Sequence, residues 1–517
     1  MKESSQPKAV RTIGFMAIIT FIAKLMGLFR ENLIVSVYGR SYASDVLNTA
    51  TQIPLLFFDM TLGVAILSTF VPVFNKYLER ESKERAMDFA NNFMTVVTTF
   101  ATISAIFGMI FAENIVHLMV PGYDEAKVLE TAALLRILFP SIVFTAAAYT
   151  SVGILQSFGE FNIPAVISVV SNLIMILYLI FAGNKFGLKG VIVSMLIAWA
   201  AQLIIQIPHL IKKGYRYRPR LNLRDQGIID CVKLAVPVLI SSWVQPLCAV
   251  INMAFGSSMG DGAVTALNLA NKIYIIMVGV FAYAITNFIF PKLSRLSAGD
   301  DNSGFSETTR VSLGWSVCII AYISSMFIAL SESVIKVVFE YGAFGADDTK
   351  ITASALFWYS FGMIGYAICE TLNKSFYAIQ DGKTPMYTSI YGIFINLCSA
   401  FIFVKLFKMG IRGLALASAT SSLLMAPVLL FAINRKKPGT ITPFFVKNLL
   451  KTILSATICG ITAYILYSLL SFMEGGAFLT LARAGLSALG GLVVFLVFGF
   501  ILKTEEFRQI RRFDHEK

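Results

Sequence analysis

Residues 13–38 read IGFMAIITFIAKLMGLFRENLIVSVY. A membrane-spanning helix needs about 20 mostly apolar residues, and this stretch is long enough. Yet Lys24, Arg30 and Glu31 lie well inside it. A charge at the centre of a membrane helix costs about 2.5–3.5 kcal/mol on insertion scales, so it faces a wet cavity or a partner. The stretch reads as a membrane helix that presents cations to a substrate, with the rest of the chain as the vessel around it.

The remaining sequence agrees. Of 517 residues, 56% are hydrophobic and only 14% charged, against about 25% charged in soluble domains. Mean hydropathy is +0.73. Apolar runs of spanning length recur from end to end, which predicts an all-α polytopic membrane protein, since a membrane barrel would show short alternating strands instead. The pattern predicts about fourteen helices, near 13–38, 46–74, 89–119, 128–157, 162–183, 188–211, 228–256, 263–290, 309–335, 349–379, 385–407, 411–434, 443–473 and 478–503. Prolines 54, 140, 237, 246 and 427 fall inside them and predict kinks that neighbours or water satisfy.

The net charge of +13 sits largely in alternate connections. Lys76, Arg80, Lys83 and Arg85 form one group, Lys212 to Arg224 a second, and Arg435, Lys436 and Lys437 another. The positive-inside rule then places both termini in the cytoplasm, and the charge reads as topogenic and lipid-facing, with no nucleic-acid partner. The six cysteines show no CxxC pair, and the three histidines are too scattered for a local metal motif.

A weak internal repeat runs at a period of roughly 220 residues. Phe70-Val71-Pro72 closes the second helix and Phe290-Pro291-Lys292 the eighth. Gln156, Pro164 and Gly187-Leu188-Lys189-Gly190 are echoed by Gln380, Pro385 and Gly410-Ile411-Arg412-Gly413. An offset of six helices preserves orientation. It predicts two pseudo-symmetric six-helix lobes, 1–220 and 221–437, plus two C-terminal helices and a tail at 438–517. Parallel lobes around a midplane cavity are a transporter architecture.

Few residues are placed to carry chemistry. Lys24 lies too far from either helix end to snorkel easily. Arg30 is six residues on, about 120° away around a straight helix, and Gly27 between them is a site for a bend. Glu31 shares Lys24's face. Lys272, within Asn268-Leu-Ala-Asn271-Lys272, supplies a cation from the second lobe. Asp45 reads either as a helix N-cap or as a charge partner. Asp59, deep in the second helix, reads as a partner for a first-helix cation or as an ion or proton site. Asn172, Gln206, Gln245, Asn252, Asn287 and Asn396 read as interhelical hydrogen bonds. There is no HExxH, Walker loop or GxSxG, so nothing supports an enzyme. Three classes stay open: a transporter of an anionic substrate, a cation-coupled small-molecule exporter, and a non-transporting scaffold.

An ordered series of motifs resembles the MurJ/MviN family of lipid II flippases. It comprises Lys24-x-x-Gly27-x-x-Arg30-Glu31, Tyr38-Gly39, Ser44-Asp45, Pro54, Phe70-Val71-Pro72, Pro121-Gly122-Tyr123, Ala270-Asn271-Lys272, Tyr341-Gly342-Ala343-Phe344 and Gln380-Asp381-x-Lys383-Thr384-Pro385. The resemblance covers the first twelve helices. It implies a bacterial inner-membrane protein of the multidrug/oligosaccharidyl-lipid/polysaccharide exporter superfamily. Such a protein moves an undecaprenyl-diphosphate-linked peptidoglycan precursor to the outer leaflet by alternating access. It further implies that Lys24, Arg30 and Lys272 engage the diphosphate, that Asp45 is the acidic position of the second helix, and that the last two helices form a groove for the lipid tail. The expected partners are the lipid-linked oligosaccharide and membrane lipids, for a chain working as a monomer. No cofactor is expected, and a coupling ion, Na⁺ or H⁺, is left open. The chain departs from the family pattern where a further cation of the second helix is replaced by Phe58-Asp59, which leaves a flippase for another undecaprenyl-linked glycan as the alternative to lipid II.

Overall fold

The computed structural model describes residues 6–63, 66–183, 185–299, 301–473 and 475–508. Every regular element among them is helical. We number them α1 (Gln6–Tyr38), α2 (Tyr42–Phe58, extended by Val71–Arg80), α3 (Lys83–Ile110), α4 (Glu125–Leu138 and Ser141–Ser157), α5 (Asn162–Ala182), α6 (Gly187–Ile204 and Ile207–Lys212), α7 (Gln226–Ser242 and Val244–Gly256), α8 (Ala263–Ala298), α9 (Asn302–Phe339), α10 (Ala346–Ser360 and Met363–Ala378), α11 (Lys383–Phe401), α12 (Ile411–Lys436), α13 (Pro443–Leu469) and α14 (Ala477–Ile501).

Short polar side chains set several of the starts. Ser41, Ser82, Asp124, Asp301 and Thr442 cap α2, α3, α4, α9 and α13, each accepting from the backbone N–H three residues on. That satisfies one of the donors a helix start leaves without a partner. Interior breaks have local causes. α4 divides at Phe139-Pro140, where proline removes a helical donor. α10 bends by 49° between Ser360 and Met363. Between its two α-helical parts, α2 holds two π-helical turns, Asp59–Gly63 and Ile66–Phe70.

Eleven helices among the described residues are long and apolar enough to cross a membrane, and twelve when the two halves of α10 count as one span. The fourteen expected from hydropathy are therefore not all reached. α1 and α7 fall outside this count. The described side chains of α1 include Lys24, Arg30 and Glu31, and α7 is divided at Trp243 into pieces of 17 and 13 residues.

The chain gathers into two compact units, Met1–Pro246 and Leu247–Lys517. In the first, α1 packs on α5, α5 on α6, α2 on the first half of α4, and α3 on the second half, which also packs on α6. The first half of α7 lies against the π-helical turns of α2. In the second unit α11 packs on α12, α8 and α9 pack on both halves of α10, and α10 packs on α12. The pairs 5–6, 2–4, 3–4 and 4–6 of the first unit thus recur as 11–12, 8–10, 9–10 and 10–12 in the second. α9 additionally carries α13 and α14.

Apolar layers hold each unit. Ile34, Val46, Leu47, Leu134, Met175, Val191 and Ala198 join α1, α2, α4, α5 and α6. Phe305, Leu313, Leu372, Phe376, Leu429 and Phe445 join α9, α10, α12 and α13. Burying apolar area against lipid gains little, so close backbone approach matters more. A Cβ on Gly362 would sit 2.6 Å from Ala419 Cα, and one on Gly365 2.7 Å from the Ser422 carbonyl carbon. These glycines let α10 meet α12 backbone to backbone. All six cysteines are unpaired thiols.

Candidate functional site: the charged face of the first helix

α1 continues unbroken through Gly27, so Lys24 and Arg30 keep their divergence of about a third of a turn. Arg30 is held on two sides. Its Nη2 donates to Glu31 Oε1 at 2.7 Å, and its Nη1 donates to Asn172 Oδ1 of α5 at 3.1 Å. Asn172 Nδ2 in turn donates to the Ala23 carbonyl of α1 at 3.1 Å. One amide therefore joins the two helices and aims the guanidinium. Arg30 Nε is buried without an acceptor among the described residues, while the side chain as a whole stays 22% exposed. Lys24 is partly exposed and makes no side-chain hydrogen bond or ion pair among the described residues. Glu31 is 8% exposed.

A second charged cluster occupies the starts of α2 and α4. Asp45 is not the N-cap of α2. Ser41 takes that place, in a reciprocal box with Ser44. Asp45 Oδ2 instead accepts from Lys127 Nζ at 3.3 Å, with the two side chains 1% and 5% exposed. The ammonium lies 4.3 Å from the Tyr123 ring centroid and 4.9 Å from that of Tyr42. The Tyr123 hydroxyl and Thr49 Oγ1 are 2.9 Å apart. This is a closed structural pair, with the cation enclosed by a carboxylate and two aromatic faces.

Asp59 opens the first π-helical turn and is partly exposed. It forms no ion pair with Lys24 or Arg30 and no side-chain hydrogen bond among the described residues. A Cβ on Gly63 would lie 2.9 Å from Asp59 Oδ1, so the missing side chain makes room for the carboxylate. Lys272 lies in α8 of the second unit, partly exposed and already engaged by neighbouring groups.

The structure thus joins Arg30 to Glu31 and sets Asp45 and Asp59 apart from both. Asn172 forms the interhelical bond its type predicts, as do Gln206 to Ala148, Asn252 to Tyr359 and Asn396 to Ser418. The side chains of Gln245 and Asn287 lie outside the described residues. Sequence reasoning missed the burial of Lys127. A lysine three residues after a capping aspartate reads as a solvated first turn, and only the tyrosines at 42 and 123 hint otherwise.

The family model described as lipid II flippase MurJ matches residues 34–483. A protein of Buchnera aphidicola subsp. Baizongia pistaciae named as a probable lipid II flippase MurJ is 27% identical over 423 residues, covering 80% of this chain and 81% of its own. A solved lipid II flippase MurJ, in an inward closed conformation, superposes with a TM-score of 0.77 at 24% identity, over 94% of this chain and 98% of that one. An inward-facing multidrug resistance MATE family transporter of the MOP superfamily superposes with a TM-score of 0.66 at 15% identity, over 82% and 98%. With the family model matched over most of its length, this polytopic helical chain belongs to the lipid II flippase MurJ family.

Proposed function

We propose that this chain flips the undecaprenyl-diphosphate-linked peptidoglycan precursor, lipid II, from the cytoplasmic to the outer leaflet of a bacterial inner membrane. The observation that carries the reading is the charged face of α1, where Lys24 has no described partner and the Arg30 side chain, held by Glu31 and Asn172, stays 22% exposed. A diphosphate matches that face. Arginine offers a fixed fork and lysine a compact point charge to phosphate oxygens. Lys24, Arg30 and Lys272 are the cations that engage the diphosphate. Glu31 holds Arg30 in place. Asp45 acts on the site only through the helix it fixes. Both termini lie in the cytoplasm, on the side of the basic connections. The working unit is a single chain, and membrane lipids are its other contacts.

Asp59 supports a coupling role. A carboxylate with no cationic partner among the described residues, in a π-helical turn of a membrane helix, is where H⁺ or Na⁺ would neutralise the charge. Transport then needs no cofactor.

Depletion of the protein, with outer-leaflet lipid II measured in the intact cell, tests the central claim. Lipid II on the outer leaflet falls if the reading holds. An undiminished amount, in a strain with no second flippase, overturns it.

A further inference from the structure

In the second unit, α9, α13 and α14 line a half-open polar cavity of about 730 Å³. Its wall includes Ser331, Glu332 and Lys336 of α9, Tyr464 and Tyr467 of α13, and Arg483 of α14. Arg483 is the only charged residue of α14, yet it is just 7% exposed. A guanidinium does not lose its charge in a protein, so its burial in an apolar helix calls for a polar surround or an anion. Arg483 is also held in one orientation. Its Nε donates to the Tyr467 carbonyl at 2.7 Å, and its plane covers the Tyr467 ring with 3.9 Å to the centroid.

Lys336 brings a second cation. It follows Glu332 by four residues, the spacing at which the two would pair along a helix. No such pair forms, and Lys336 makes no side-chain hydrogen bond or ion pair among the described residues. α9 loses helical geometry at Leu330, with φ −125° and ψ 20°, and the polar residues it gives to the wall follow that break.

Depth identifies the surroundings. Tyr467 lies two residues before the end of α13, Lys336 three before the end of α9, and Arg483 six after the start of α14. At 1.5 Å per residue all three lie within about 10 Å of a helix end, and the ends of membrane-spanning helices reach the headgroup region. The start of α14 adds its backbone donors, because its cap, Gly476, brings no side-chain hydrogen bond. Tyr464, 61% exposed, carries the wall out to the lipid.

We infer that this cavity is a binding site for the phosphate group of a membrane lipid. The site lies at the α13–α14 turn, and only its assignment to the outer leaflet rests on the topology proposed above. The lipid phosphate has two sources: the diester of a bulk anionic phospholipid, or the diphosphate of a flipped polyprenyl substrate.

The full chain, purified and reconstituted in neutral lipid, is titrated with phosphatidylglycerol, with diacylglycerol of the same acyl chains, and with inorganic phosphate, and binding is read by native mass spectrometry. Phosphatidylglycerol binds more tightly than either control. Lys336→Gln weakens it about tenfold, the scale of one charge-assisted contact. Arg483→Gln weakens it further. Because Arg483 also ties α14 to α13, the Lys336 variant, which breaks no described bond, carries the test alone if the Arg483 variant fails to fold. Equal binding of diacylglycerol, equal binding of inorganic phosphate, or unchanged affinity in Lys336→Gln each overturns the proposal. Competition by undecaprenyl diphosphate then separates the sources. Displacement at more than about tenfold lower concentration names the flipped substrate, and weaker displacement names the bulk phospholipid. A loss of flipping in cells would leave this binding result unaffected, so the two readings fail separately.

Discussion

Two charged groups in the first unit handle their ions in opposite ways. On α1, Arg30 is held by Glu31 and Asn172 yet keeps its side chain partly exposed. At the starts of α2 and α4, Lys127 is buried against Asp45 and two tyrosines. Both are cations in apolar surroundings, but only Arg30 lies in a stretch where hydropathy alone sees a charge in a membrane segment, since Lys127 precedes the apolar run that begins near 128. What separates them is completeness. A closed pair holds the fold together, whereas an open one can take up a ligand. The distinction follows from desolvation. A buried ion must be matched within the structure, because water is not there to match it.

The comparison breaks first at Asp45. Asp45→Ala leaves a buried ammonium without its carboxylate and costs about 3–5 kcal/mol, read as a large drop in thermal unfolding temperature and in folded yield. A stable Asp45→Ala protein that fails only in flipping would erase the contrast. Lys24→Ala does the reverse. Stability stays within about 0.5 kcal/mol, while outer-leaflet lipid II falls at least about tenfold, the scale of one lost charge-assisted contact. Full complementation by Lys24→Ala would remove α1 from the site. Asn172→Ala lies between them. It removes the α1–α5 bridge and the support of Arg30, for about 1–2 kcal/mol and a partial loss of flipping, measured together on one preparation.

The smallest effect belongs to an ion pair outside the spans. Burial alone would raise the Asp381 carboxyl, but Lys436 and the Thr384 hydroxyl and amide outweigh it and hold the group below its ordinary value of 3.8. A depressed carboxylate stabilises the fold above that ordinary value, and the stabilisation fades as pH falls through the lowered one. Lys436 is 45% exposed in this pair, so solvent screens it. Lys436→Met should cost less than about 1 kcal/mol at neutral pH, and the difference from the parent should narrow in acid titrations of unfolding.

Much of the fold was legible because lipid imposes simple rules. Long apolar runs, proline and glycine punctuation and matching motifs six helices apart predicted the helical architecture, and the recurring neighbour pairs of the two units agree with the repeat. The break at Phe139-Pro140 was visible through its proline. The bend of α10 was not, because no proline marks it, and the close approach of Gly362 at the bend to Ala419 of α12 is a contact between distant stretches of sequence. The site was only partly legible. Lys24, Arg30 and Glu31 stand out as charges in an apolar run. The partner that aims Arg30 is Asn172, 142 residues away, and no local pattern reports that distance. Asp45 was drawn toward capping by its place after Ser44, but Ser41 has the extended backbone that a cap requires.

The π-helical turns of α2 have a consequence for how this helix tolerates insertions and deletions. A π-helical turn is an α-helix carrying one surplus residue. Deleting a residue within Asp59–Gly63 can relax that turn to α-helix and leave the rest of α2 in its present phase. The same deletion in the middle of α5, which has no surplus to give up, rotates everything beyond it by about 100° and turns its buried stripe toward lipid. α2 thus has a built-in reserve of register, placed where Asp59 stands.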